Sequence, residues 1–393
     1  MTPRTYLDYA ASSPLHEEVL EAMLPWLGLA KDGGFGNSSA LNLEGRQARQ
    51  ALEDARASLA GAIGASPPEI VFTSGATESN NALIAGICQG VRNKLGPSKG
   101  GNLVVTSAFE HHAVLEPVRA LKRDGWLIDY VRPSREGYID PGGLTDVIET
   151  YEQKTACTLV SVMAANNEVG TVLDIAGLAR ATHAKGGLFH TDAAQALGKT
   201  AFRVDGLGVD AASFSAHKIG GPKGVGAFYL RSLTPFHAQM LGGGQEREMR
   251  SGTVNVAGAV GFARALELAV GSLAAESLRL GGLRDYLAAS LLAASPKISL
   301  TIDPRKQDCL PHIVSFLVKG FESADLILRL DEQGFAVSNG SACSTGSSEP
   351  SHVLTAMGIK EDQAQTVLRV SLGFTTTKDG LDSFVKALLQ IIH

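Results

Sequence analysis

Residues 188–222 read LFHTDAAQALGKTAFRVDGLGVDAASFSAHKIGGP. Two short apolar runs, Leu188–Thr191 and Ala211–Ser215, each end abruptly in polar residues. Asp192-Ala193-Ala194-Gln195 follows the first run and Ala216-His217-Lys218 the second. Short apolar runs without alternation have the length of a strand buried on both faces. Working outward, Ile70–Thr73, Leu103–Ser107, Thr158–Met163 and Val225–Leu230 repeat the pattern. Amphipathic stretches such as Glu78–Gln89, Ala113–Arg123 and Asp174–His183 separate them. Such alternation predicts an α/β fold, a mostly parallel sheet flanked by helices. After Gly252 the pattern changes: 255–294 is Ala- and Leu-rich with helical spacing, followed by strands at Ile313–Val318 and Val367–Leu372. The expected organisation is a large α/β domain over 15–258, with 1–14 and 259–393 forming a smaller α+β domain.

Composition excludes several classes. The chain has 393 residues, 40 acidic against 35 basic, for a net charge of −5. No basic surplus points to nucleic acid or an anionic membrane, so neither is an expected partner. With 44% hydrophobic and 19% charged residues, a largely disordered chain is excluded. Cys88, Cys157, Cys309 and Cys343 are far apart, with no C-x-x-C spacing. Neither a disulfide scaffold nor a metal site is expected. The start, MTPRTYLDYAASSPLHEEV, lacks the pattern of a signal peptide. No uninterrupted run of eighteen apolar residues occurs, so no bilayer span is expected. A cytoplasmic location with reduced thiols is the expectation.

Function is signalled by where the polar residues fall. In open α/β sheets, ligands bind beyond the carboxyl ends of the strands. Five strand candidates end in polar clusters: SGATESNN after Thr73, Phe109-Glu110-His111-His112, Asn166-Asn167-Glu168, Asp192 to Gln195, and His217-Lys218. Five clusters at equivalent ends point to one active site. Ser74-Gly75-Ala76-Thr77 suits a phosphate at a helix start, or is simply a capped helix. Lys218 is either a solvated surface charge or a lysine that forms a Schiff base. Asp192 either caps the next helix or holds a pyridinium nitrogen protonated. His111 is either a satisfied polar group or a ring-stacking proton shuttle. Cys343 lies in Ser338–Ser348, SNGSACSTGSS, whose composition predicts an exposed loop. A thiol there reads as a nucleophile, because free cysteines are usually buried.

The ordered motifs resemble those of the cysteine desulfurases of the NifS and IscS type. These belong to the class V aminotransferase-like enzymes of pyridoxal phosphate fold type I. The match runs from Tyr6-Leu-Asp-Tyr-Ala-Ala through Phe72-Thr-Ser-Gly-Ala-Thr-Glu-Ser-Asn80, Glu110-His111 and Asn166-Asn167-Glu168-Val-Gly170. It continues through His190-Thr-Asp192-Ala-Ala-Gln195, Ser213-Phe-Ser-Ala-His217-Lys218, Gly242-Gly-Gly-Gln-Glu-Arg247 and Arg250-Ser-Gly-Thr253. Gly340-Ser-Ala-Cys343 and Leu368-Arg369-Val-Ser-Leu-Gly373 complete it.

The resemblance implies a role for each matching position. Lys218 would hold pyridoxal 5'-phosphate as a Schiff base and act as acid and base on the substrate Cα. Asp192 would pair with the pyridine nitrogen, Gln195 with the phenolic oxygen, and His111 would stack on the ring. Ala76, Thr77, Ser215 and His217 would cradle the phosphate, with Thr253 reaching in from the other subunit of a homodimer. Arg369 would clamp the carboxylate of L-cysteine, with Asn37 and Asn167 nearby. Cys343 would take the sulfur as a persulfide, release alanine and pass the sulfur to an acceptor protein, an Fe–S scaffold or another carrier. Ser38, Asn42 and Phe374 depart from the usual residues, which puts details of the substrate pocket in question. A selenocysteine lyase, another class V aminotransferase-like enzyme, or a non-catalytic sulfur carrier are the alternatives. The thiol of Cys343 counts against an aminotransferase, and the joint retention of Lys218, Asp192, His111 and Cys343 counts against a carrier.

Overall fold

The computed structural model describes residues 4–28, 34–95, 101–152, 154–340 and 350–393. Twelve strands are present among them. They are β1 (Thr5–Tyr6), β2 (Ile70–Thr73), β3 (Gly101–Ser107), β4 (Leu127–Val131), β5 (Thr155–Ser161) and β6 (Leu188–Asp192). The rest are β7 (Ala211–Ser215), β8 (Gly226–Leu230), β9 (Ile298–Leu300), β10 (Ile313–Val318), β11 (Phe335–Ala336) and β12 (Val367–Ser371).

Seven strands form the main sheet in the order β2-β8-β7-β6-β5-β3-β4. Only β8 runs antiparallel to its neighbours. Six strands therefore point their carboxyl ends at one edge, and β8 starts there. The expectation of a mostly parallel sheet flanked by helices holds. Strands β2, β7 and β8 are buried along their whole length, as their unalternating sequences require. Strand β5 stops at Ser161 rather than at Met163 because the Met163 N–H is taken by the Glu110 carboxylate, at 2.8 Å. Strand β4 escaped the sequence reading. It is an edge strand, largely half-exposed, and its Asp129 breaks the apolar run.

A second, antiparallel sheet has the order β12-β10-β9. Helices Ser323–Glu332 and Lys378–Ile392 pack on it, with Leu326, Leu330, Phe384 and Leu388 fully buried. The 39-residue helix Val256–Ala294 serves both cores. Ala259, Phe262 and Leu266 sit in the core of the large sheet, Leu287 and Leu291 in that of the small one. An 18-residue window of this helix has a mean hydropathy of 1.4, long and apolar enough by length and composition to cross a bilayer. Half of that window is buried within the protein. Counting only uninterrupted apolar runs passed over it.

The two-residue strand β1 pairs in parallel with β11. That pairing brings residues 8–13 from the chain's start across to the carboxyl edge of the main sheet.

Candidate active site

Beyond the carboxyl edge lies a cavity of about 450 Å³. Each polar cluster contributes to its wall. The first is the turn after β2, where Gly75, Ala76 and Thr77 open helix Ala76–Leu95 onto the cavity. The turn can lie against the sheet because Gly226 opposes it. A Cβ at 226 would meet the Gly75 Cα and the Phe214 carbonyl oxygen, each at 2.5 Å. Glu78 fixes the turn from behind, accepting the Ser74 N–H at 2.8 Å and pairing with Arg250 at 2.8 Å.

Asp192 ends β6 and is buried. One carboxylate oxygen accepts from Asn80 Nδ2 at 2.7 Å and the other from the Ala194 N–H at 2.9 Å. Both contacts hold the carboxylate in one orientation at the cavity wall. Asn80 Oδ1 is buried with no hydrogen-bond partner among the described residues.

His111 caps helix His112–Leu121, its Nδ1 accepting the Ala113 N–H at 3.0 Å. A neutral ring so held carries its proton on Nε2. Burial pushes its pKa down, and the Asp192 charge works in the opposite direction. Glu110, beside it, is fully buried, and burial raises its pKa to about 8 despite hydrogen bonds from Ser107 and the Met163 N–H.

Lys218 follows β7, and its Nζ donates to the carbonyls of Ala10 and Ala11 at 2.7 and 2.9 Å. Gln195 Nε2 donates to the same Ala10 carbonyl at 2.9 Å. His217 Nδ1 is 3.2 Å from Ser12 Oγ, and burial with the Lys218 charge lowers its pKa to about 4. Ser215 and Asn167 complete this part of the wall.

Arg369, from β12, is 1% exposed and reaches the cavity from the small sheet. Its Nη2 pairs with Asp8 at 2.7 Å and its Nη1 donates to the Asn167 carbonyl at 2.8 Å. Its buried Nε has no hydrogen-bond partner among the described residues.

Thus Ala76, Thr77, His111, Asn167, Asp192, Gln195, Ser215, His217, Lys218 and Arg369 share one cavity. Two residues from the sequence reading do not line it. Asn37 lies in a turn where its side chain accepts the Ser39 N–H, ahead of helix Leu43–Ile63. Thr253 is exposed and lies apart from the cavity. It follows a loop in which Glu246, Arg247 and Glu248 all have positive φ, of 47°, 56° and 63°. Such backbone costs roughly 1–3 kcal/mol per residue. The Glu246 carboxylate holds it in place by receiving both terminal nitrogens of buried Arg56 at 2.7 Å and the Phe72 N–H at 2.8 Å. Cys343 lies outside the described residues.

Of the departures, Asn42 caps helix Leu43–Ile63 by accepting the Gly45 N–H at 2.9 Å. Ser38 is buried, and its carbonyl accepts from Arg49. Phe374 packs its ring on those of His16 and Tyr9, at 4.3 and 5.8 Å between centroids.

The sequence reading assigned no role to Asn80, Asp8 or the carbonyls of Ala10 and Ala11. Asn80 and Asp8 stood inside quoted motifs, which was the available signal. A backbone carbonyl leaves no trace in side-chain identity.

Comparison with known proteins gives the family. The aminotransferase class-V model matches residues 5–384. "Cysteine desulfurase IscS" from Dictyoglomus turgidum is 43% identical over 100% of this chain and 95% of its own length. The "IscS-like cysteine desulfurase" of Mycobacterium tuberculosis is 39% identical, covering 98% and 95%. Among solved structures, a "NifS-like protein" superposes with a TM-score of 0.88 at 35% identity, over 99% of both chains. A structure titled "SspA in complex with cysteine" gives 0.77 at 33% identity, over 93% of this chain and 98% of its own. The chain belongs to the aminotransferase class-V family. Within that family it groups with the cysteine desulfurases.

Proposed function

We propose that the chain is a pyridoxal-phosphate-dependent cysteine desulfurase acting as a homodimer. L-cysteine and the Cys343 thiol would give L-alanine and a persulfide on Cys343. The balance needs no outside oxidant, because the new S–S bond forms as the substrate C–S bond breaks and its electron pair passes to carbon, which is then protonated. The sulfur then passes to an acceptor protein, an Fe–S scaffold or another carrier. What carries the reading is a single cavity that pairs a lysine amine with a buried carboxylate, beside a helix start. The donor set fits the cofactor. Backbone N–H groups at 76 and 77, with Ser215 and His217, suit its phosphate. Asp192, oriented by Asn80, suits a pyridinium nitrogen, and Lys218 suits a carbonyl carbon.

Bound there, pyridoxal phosphate supplies the electron sink that weakens bonds at the substrate's α and β carbons. The chain's residues would do the rest. Asp192 holds the proton at the pyridine nitrogen, and Gln195 directs its amide at the phenolic oxygen. His111 covers the ring and, with its proton on Nε2, serves as a proton relay. Lys218 would move a proton at the substrate Cα. Arg369 receives the carboxylate, and its Nε–H is a donor left without a partner among the described residues. An exposed Thr253 outside its own chain's cavity fits delivery to a second copy.

The test is Cys343→Ser, which keeps the size and loses the thiolate. The variant should bind pyridoxal phosphate and change its absorbance on adding cysteine, yet release neither alanine nor sulfide. Turnover by the serine variant, or added sulfur on Cys88, Cys157 or Cys309 in the wild type, would defeat the reading.

A further inference from the structure

Lys199 lies four residues beyond Gln195, and its amine is enclosed although its stem is partly exposed. Nζ is 3.4 Å from Gln195 Oε1 and 3.2 Å from His312 Nε2. Enclosed lysines are rare without partners. These partners form a chain that ends at the proposed cofactor lysine.

The direction of that chain follows from the chemistry of its groups. The Ala10 carbonyl can only accept, and it is shared by Lys218 Nζ and the amide of Gln195. The Gln195 atom facing it must therefore be the NH2 group. The other end of the amide is then its oxygen, which needs a donor, and Lys199 is beside it. We propose that Lys199 is a positioning residue. By donating to Gln195 Oε1 it locks the amide with its NH2 toward the Ala10 carbonyl and the cavity, and so sets where Lys218 rests. This rests on the cofactor reading above.

The charges around Lys199 agree with a role beyond solvation. Burial first, then the charges of Lys218 and Arg369, push its amine down to about 7. His312 and His217 face it as well, both with pKa values lowered chiefly by burial. On the far side lies a second cavity of about 320 Å³, which Lys199, His312, His16, Glu18 and Glu276 help to line. It leaves room for a longer side chain.

The experiment is a double-mutant cycle of Lys199→Met and Gln195→Ala, with Lys199→Arg as the conservative variant. Pyridoxal phosphate is the probe, read by its dissociation constant and by absorbance of the bound form. Lys199→Met should raise the dissociation constant about fivefold and shift the absorbance. The same change on top of Gln195→Ala should do nothing further. Lys199→Arg should restore both readouts. Additive effects of the two changes, or a methionine variant with wild-type spectrum and affinity, overturn the proposal. The cycle is repeated on cofactor-free protein by urea unfolding, where the two changes should again be non-additive and additivity overturns the link. A wild type that takes up no pyridoxal phosphate would defeat the proposed function, while the unfolding cycle still decides the Lys199–Gln195 link.

Discussion

Glu110 shows how a single residue can report on the site from within the fold. In the unfolded chain its carboxyl ionises near 4.5, and in the fold burial holds it protonated to about pH 8. The unfolded state therefore loses the proton first as pH rises. Stability from this group is complete below about 4.5 and is lost progressively on the way to about 8. Glu110→Gln removes the titration and keeps an oxygen for the Met163 N–H. The stability difference between variant and wild type should shift in the variant's favour by up to ~1.4 kcal/mol per pH unit across that window. Urea unfolding at pH 5, 6, 7 and 8 measures it, and a difference that stays flat with pH would show that Glu110 is ionised in the fold. At this scale much of the site was legible in the sequence. Asp192, Lys218 and His111 sit where apolar runs stop, and the physics of strand ends brings such residues to one cavity wall. Asn80 was not legible as a partner of Asp192, because 112 positions separate them. Only the pairing order of the strands brings them together.

Among the elements, the reversed strand β8 matters most to the cavity. Its first residue, Gly226, lies under the turn that starts helix Ala76–Leu95, and the close approach is backbone against backbone. Gly226→Ala cannot be absorbed by a side-chain rotation. The variant should lose roughly 1–3 kcal/mol of stability, with pyridoxal phosphate affinity falling at least about tenfold, or ~1.4 kcal/mol, as the turn is displaced. Calorimetry and a binding titration check the two together, and unchanged affinity would detach the turn from phosphate binding. The positions of β2 and β7 could be read from their apolar runs alone. That β8 runs between them in the opposite direction could not, since direction is set by pairing and leaves no mark on composition.

Across the whole molecule, Arg369 joins what the two sheets build. It comes from β12 and pairs with Asp8 from the chain's start. It also donates to the Asn167 carbonyl from the loop after β5. Arg369→Lys keeps a charge opposite Asp8 but loses the planar fork that spans both contacts. The KM for cysteine should rise about tenfold, equivalent to ~1.4 kcal/mol, with pyridoxal phosphate still bound. A steady-state titration in cysteine measures this, and an unaltered KM would assign the carboxylate to another group. The same meeting of distant segments constrains how the protein is made. Residues 5–13 carry the carbonyls that hold Lys218 and touch His217 and Gln195, yet they are also tied to Phe335, Ala336, Arg369 and Ser371. At ~5–20 residues per second, residues 5–13 wait tens of seconds for β12 to be made. A chain halted before β12 can complete its seven-stranded sheet and still lack Arg369 and the contacts with Ser371 that help hold residues 7–10 in place. The cavity is thus finished only once β12 has been made, and a chain cut short of it is defective at the very site it was meant to build.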